Sequence, residues 1–194
     1  MEHFHLVKSM TSNRVVVGVT GGSGSILAVR FLESLTEVEK HLVISEHAEI
    51  VLREEAGIDR EYLNKLADYV YDDGDIAARI SSGTFIFSSF VIIPCSISTL
   101  GKINSGISDT LITRVASVAL KEHRRMILVP RETPLSTVAL RNMAELSAMG
   151  VIIAPAMPGY YTHPKTADDM INFIVSRILD LVGVENNLIR RWRE

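Results

Sequence analysis

The sequence predicts a parallel α/β sandwich, one sheet with helices on both faces. Three observations point to it. Short β-branched runs recur along the chain: RVVVGVT (14–20), HLVIS (41–45), FVIIPCS (90–96), MILVP (126–130) and VIIAP (151–155). Each is almost wholly apolar, the mark of a strand covered on both faces. Amphipathic segments of helical period separate them, which is the connection parallel strands need. At 194 residues the chain fits one domain with a core large enough to need no covalent staple.

The elements follow in order. Residues 1–13 read as an N-terminal tail, and 14–194 as a single domain that ends in a C-terminal tail. After the first strand, GGSGS forms a turn, and a helix starts near Ser25 with Ile26, Val29, Leu32 and Leu35 on one side. The second strand leads into HAEIVLREEA, a helix stopped by Gly57. Residues 58–82 are polar and acidic; the reading there is a helix near 59–67, then irregular chain. The third run ends in Pro-Cys-Ser and passes into a short helix plus turn over 98–106. Asp109 reads as the N-cap of TLITRVASVALKEH. A helix over 135–149 closes at Gly150, and Thr166 caps a last helix that runs to Val182. In such sheets ligands lie at the carboxyl ends of the strands. All five predicted strand ends carry small, polar or charged residues.

Composition narrows the function. A formal charge of −3 and 6% aromatic residues argue against general nucleic-acid binding. One cysteine excludes a disulfide framework and a multi-thiolate zinc site. The six histidines show no ligand spacing within a helix, so no metal is expected. No apolar run reaches the ~20 residues of a membrane span, and MEHFHLVKSM lacks a signal core, so the expected compartment is the cytoplasm.

Five segments carry chemistry. Gly21-Gly22-Ser23-Gly24-Ser25 joins a buried strand to a helix, where free N–H groups favour an anion such as phosphate. Leu27 stands where the dinucleotide fingerprint needs its third glycine, and no Gly-Lys-Ser/Thr follows. A plain tight turn is the alternative. Ser96, Ser98 and Thr99 place three hydroxyls after the third strand, for a ligand or simply as an N-cap. Cys95, just before them, reads as a small buried residue. Arg114 and Lys121 lie seven apart, near one helix face, as phosphate ligands or solvated cations. Arg131-Glu132 sits between two prolines, where stiff backbone pre-aims a guanidinium suited to phosphate and a carboxyl able to move a proton. Finally, PAMPGYY presents Tyr160 and Tyr161, while Arg177 needs a partner in its apolar helix or must reach solvent.

The ordered set VTGGSGS, PCSISTLGKINSGISD, TRVASVALKEHRRMILVPRET, PAMPGYY and LIRRW resembles the UbiX/Pad1 family of flavin prenyltransferases over about residues 13–193. The resemblance implies a Rossmann-like three-layer α/β/α sandwich that binds FMN. It implies transfer of the five-carbon dimethylallyl group from dimethylallyl phosphate, or in some members the diphosphate, to reduced FMN. The group joins the central-ring nitrogen and then the adjoining benzo-ring carbon, closing a fourth ring. The product, prenylated FMN, serves a UbiD-type decarboxylase. Members form large homo-oligomers, expected here as a dodecamer, with sites built where subunits meet.

Carried onto this chain, the family's FMN site corresponds to Gly22, Ser23, Ser45, Ser96, Ile97, Ser98, Thr99 and Arg114. The prenyl phosphate falls to Lys121, Arg131, Tyr161 and Arg177. Glu132, Glu55 and Ser23 take the catalytic places, Glu132 at phosphate departure and Glu55 in proton transfer during ring closure. Where Gly22 stands, the family usually carries alanine, a change that loosens the turn. The chemistry suits the residues, since cations in a dry pocket stabilise a leaving phosphate and the π-faces of Trp192 and the tyrosines an allylic cation. Two alternatives remain at this stage: an FMN-dependent decarboxylase of the phosphopantothenoylcysteine type, and an FMN-binding carrier without a reaction. An NAD-dependent oxidoreductase is weakened by the missing third glycine.

Overall fold

The computed structural model describes residues 12–193. The sheet is six-stranded and wholly parallel, in the order β3-β2-β1-β4-β5-β6. Its strands are β1 (Arg14–Val19), β2 (Glu39–Ile44), β3 (Tyr69–Asp72), β4 (Ser89–Cys95), β5 (Arg125–Pro130) and β6 (Ile152–Ile153). The helices are α1 (Ser25–Ser34), α2 (Glu46–Ala56), α3 (Arg60–Lys65), α4 (Ile97–Asn104), α5 (Leu111–Lys121), α6 (Thr137–Ala148) and α7 (Ala167–Val182). Among the described residues no helix is long and apolar enough to cross a membrane.

Because side chains alternate along a strand, the sheet feeds two cores. Val15, Val17 and Val19 of β1 face one way, packed with Phe31 and Leu32 of α1, Leu52 of α2 and Val175 and Ile178 of α7. Val16 faces the other way, with Phe90 and Ile92 of β4, Ile112 and Val115 of α5 and Leu146 of α6. This is the predicted three-layer sandwich. Strand order reverses between β1 and β4, so the switch point lies where their carboxyl ends diverge. The segments after those two strands are GGSGS and SIST.

Three details depart from expectation. β3 lies in the stretch read as irregular. It is a four-residue edge strand, largely exposed, so it lacks the continuous apolar run that marks the inner strands. The N-cap of α5 is Thr110 rather than Asp109. Thr110 and Thr113 form a reciprocal capping box, while Asp109 is drawn to Lys102 at 2.7 Å. Ser12 and Asn13, read as part of the tail, are held by the fold. The Ser12 hydroxyl donates to the Ile86 carbonyl at 2.9 Å, and the Asn13 carbonyl accepts from the Glu39 N–H at 2.8 Å. The rest of the predicted tail, residues 1–11, lies outside the described residues.

Candidate functional site

At the switch point the first turn is shaped by two glycines. A Cβ on Gly21 would lie 2.8 Å from the Cβ of His47, and Gly24 has φ +102°, so neither position suits another residue. Gly24 leads into α1 without a side-chain cap of its own. The cap comes from α2 instead. One Glu55 oxygen accepts from the Gly24 N–H at 2.9 Å, the Ser25 N–H at 3.0 Å and the Ser25 hydroxyl at 3.0 Å. Burial pushes the Glu55 carboxyl up, but hydrogen bonds from the Ser23 side chain and from Gly24 and Ser25 outweigh it and hold it below the ordinary value. The N–H groups that the sequence offered to a ligand phosphate thus already hold an internal anion. Of the adjacent acids Glu54 and Glu55, it is Glu55 that reaches the turn.

The other loops close around this turn. Ser45 caps α2, and its N–H reaches the Val19 carbonyl at 3.0 Å. Ser96 caps α4 through the Thr99 N–H at 3.1 Å, and the hydroxyls of Ser96 and Thr99 lie 2.9 Å apart. Ile97 is half-buried and Ser98 exposed. Gly22 is buried against this loop, where an added Cβ would meet the Pro94 Cβ at 3.4 Å. From β5, Arg131 sends its Nε–H to the Ser23 carbonyl at 3.3 Å. That contact joins the Arg-Glu loop to the Gly-Ser turn and leaves both terminal guanidinium nitrogens for another partner. Glu132 accepts from the Thr133 N–H at 3.0 Å beside a cavity of 80 Å³ lined by Arg131, Leu135, Met143 and Met157. A larger concavity, 890 Å³, opens at the opposite edge among Ser12, Phe87, Arg125 and Gly183. The carboxyl edge is where a doubly wound sheet takes its ligand, so the site is assigned there.

Arg114, on the first turn of α5, is exposed, and its guanidinium has no partner among the described residues. Lys121 ends the same helix beside Glu122, at 3.0 Å, and near Gly83, which precedes β4. It therefore stands at the amino edge of the sheet, about 20 Å from the glycine turn for a six-residue strand. Arg177 is bound to Asp180 at 2.9 Å and lies about 15 Å along α7 from its start. Arg191 also binds Asp180, and it heads the causes that hold the Asp180 carboxyl below its ordinary value. Tyr161 meets Phe173 and Trp192 edge to face, with ring centres at 5.6 and 5.1 Å. One chain therefore brings together Gly22, Ser23, Ser45, Glu55, Ser96, Thr99 and Arg131, but keeps Lys121 and Arg177 apart from them. The sequence reading missed Thr20, whose only signal was a threonine ending an otherwise aliphatic strand. Cys95 is fully buried, and burial pushes its thiol up to about 12, which removes it as a nucleophile.

Comparison with known proteins bears on this site. A family model described as Flavoprotein matches residues 4–179. The flavin prenyltransferase UbiX of Thermoplasma acidophilum is 60% identical over 179 residues, covering 92% of this chain and 99% of the relative. The chain belongs to the UbiX flavin prenyltransferase family. Among solved structures of that family, the crystal structure of AnUbiX (PadA1) in complex with FMN and dimethylallyl pyrophosphate superposes with a TM-score of 0.92 at 41% identity, covering 94% of this chain and 98% of that one. A dodecameric FMN-dependent UbiX-like decarboxylase from Escherichia coli O157:H7 gives 0.91 at 43%, covering 93% and 100%.

Proposed function

We propose that this protein is a flavin prenyltransferase that transfers a dimethylallyl group from dimethylallyl phosphate to reduced FMN. Family membership at 60% identity across nearly both whole chains supports the reaction. The observation that carries it to particular residues is the Arg131–Ser23 contact, which sets a phosphate-binding cation against the flavin-binding turn. The residues at the carboxyl edge fit FMN. The hydroxyls of Ser96, Ser98 and Thr99 suit a polar ring edge, and Arg114, without a partner among the described residues, offers a cation to a phosphate. When bound, reduced FMN supplies the nucleophilic ring.

The chain's own residues do the rest. Arg131 uses its free nitrogens to neutralise the leaving phosphate, where such charge stabilisation is worth ~10²–10³ in rate. Glu132 holds or moves a proton at that oxygen. Glu55, kept ionised by four donors, receives a proton rather than giving one, and it aims the Ser23 hydroxyl. Lys121 and Arg177 stand away from the turn of their own chain, so in this reading subunits of a homo-oligomer, a dodecamer as in the E. coli relative, complete one another's phosphate site, with Tyr161 beside them. Residues 14–194 act as one FMN-binding domain in the cytoplasm, and the product passes to a UbiD-type decarboxylase. Purified protein with FMN, a reductant and dimethylallyl phosphate is expected to yield a flavin heavier by one dimethylallyl unit. Flavin recovered at unchanged mass after full reduction would overturn the reading in favour of a carrier.

A further inference from the structure

We infer that Thr20 is a positioning residue for the flavin, because its hydroxyl replaces a backbone rung and so locks the Gly-Ser turn to the SIST loop. In a parallel ladder, a residue that donates its N–H to one partner carbonyl gives its own carbonyl to the N–H two residues further along that partner. Thr20 donates its N–H to the Pro94 carbonyl at 3.2 Å, so its carbonyl should receive the Ser96 N–H. It does not. The Thr20 carbonyl turns back to accept the Gly22 N–H at 2.8 Å, which starts the glycine turn. The side chain takes the vacated place: its oxygen accepts from the Ser96 N–H at 2.8 Å and donates to the Pro94 carbonyl at 2.9 Å.

The place is demanding. Direct β1–β4 pairing ends at Gly18 and Ile92, and Pro94 has no N–H to extend it. Thr20 is only 3% exposed, so water does not readily substitute for its hydroxyl. The strand wants a β-branched residue and the junction wants an acceptor and a donor on one atom, and threonine meets both needs. One residue lets the turn and the SIST loop diverge while holding them in register.

This inference rests on the proposed flavin reaction, and its test separates the two. FMN affinity is measured by flavin fluorescence quenching well below each variant's melting temperature, together with the visible band of the bound flavin. Thr20→Val keeps the shape but leaves the Ser96 N–H unpaired, and it is expected to weaken FMN binding about tenfold and to shift that band. Thr20→Ser restores both. Val17→Ala, a core change in β1, lowers melting temperature without moving either readout. Wild-type affinity and spectrum in Thr20→Val, or a serine variant as impaired as the valine one, overturns the positioning role. Should Thr20→Val not fold, hydrogen exchange over residues 95–99 of the wild type decides: protection like that of β4 is expected, and exchange at the rate of free loop overturns it. A wild-type protein that binds no FMN overturns the flavin reading, and this inference with it.

Discussion

Two polar clusters of this molecule each contain a glutamate and arginines and do different things. One is the carboxyl-edge site just described. The other lies toward the amino edge, between β2 and β3, around His41. His41 is wholly buried; its Nε2 is 2.7 Å from Glu39 and its Nδ1 2.9 Å from the Tyr71 hydroxyl. Arg14 donates to the same Glu39 oxygen at 3.0 Å, and Arg79 donates to the Tyr71 hydroxyl at 2.8 Å. One neutral tautomer satisfies every bond: Arg79 to Tyr71, Tyr71 to His41, His41 to Glu39, with Arg14 closing the far end. Aromatic rings seal it, Tyr69 stacked on His41 at 4.9 Å and Phe85 edge-on at 5.0 Å. Both ring nitrogens of His41 are used, and the Arg79 guanidinium lies over the Tyr69 and Phe85 rings at 4.1 and 5.4 Å.

The carboxyl edge is the reverse. Arg114 has no partner among the described residues, Arg131 spends one nitrogen on Ser23, and the Ser98 hydroxyl is exposed. The contrast teaches that a polar cluster becomes a site through the donors its own fold leaves unused. A closed network rigidifies, while an open one waits for a ligand.

The largest effect that would sharpen the contrast is kinetic. Arg131→Ala should slow formation of prenylated flavin by ~10²–10³ with little change in melting temperature, read by product mass against time. A comparable loss of stability would place Arg131 with the closed cluster instead.

The next test strikes the His41 box. His41→Leu should lower unfolding free energy by ~2–4 kcal/mol in denaturant titration, through lost hydrogen bonds and packing, and leave FMN affinity unchanged. Burial holds His41 below its ordinary value; Glu39 pulls the other way without winning, and Arg79 and Arg14 add to the lowering. The unfolded chain therefore takes up the proton first. Stability should be complete above about pH 6.5 and fall as pH drops through that value, a slope that His41→Leu should flatten. Glu39, lowered chiefly by its hydrogen bond with His41, adds a further loss only below about pH 4.3. A wild-type stability independent of pH between these values would break the account.

The smallest effect concerns Gly22. Its φ is not in the left-handed region and a Cβ would only touch Pro94, so Gly22→Ala should raise stability by ~0.4–1 kcal/mol through a stiffer unfolded chain, seen as a higher melting temperature with FMN binding retained. A lower melting temperature would mean that the turn needs glycine at this position too.

Much of this was legible in the chain. Inner strands are apolar on both faces, so they announced themselves, and the loops after them carried the family's residues in order. β3 stayed hidden because an edge strand is half solvent and reads like loop. The cap of α5 was misplaced by one residue because Asp109 and Thr110 both suit an N-cap, and Lys102, seven residues earlier, drew the aspartate away.

What the sequence by itself determined is the layered parallel sheet, the side of it to which the candidate site is assigned and the residue types gathered there, since these follow from local periodicity and from which side chains end each strand. What only the tertiary structure decided is who answers whom. Glu55 fills the helix terminus that looked open to phosphate, Thr20 stands in for a carbonyl, and Lys121 and Arg177 lie away from their own turn. The first two depend on hydrogen bonds between residues 31 and 76 apart, and no local pattern encodes such pairings.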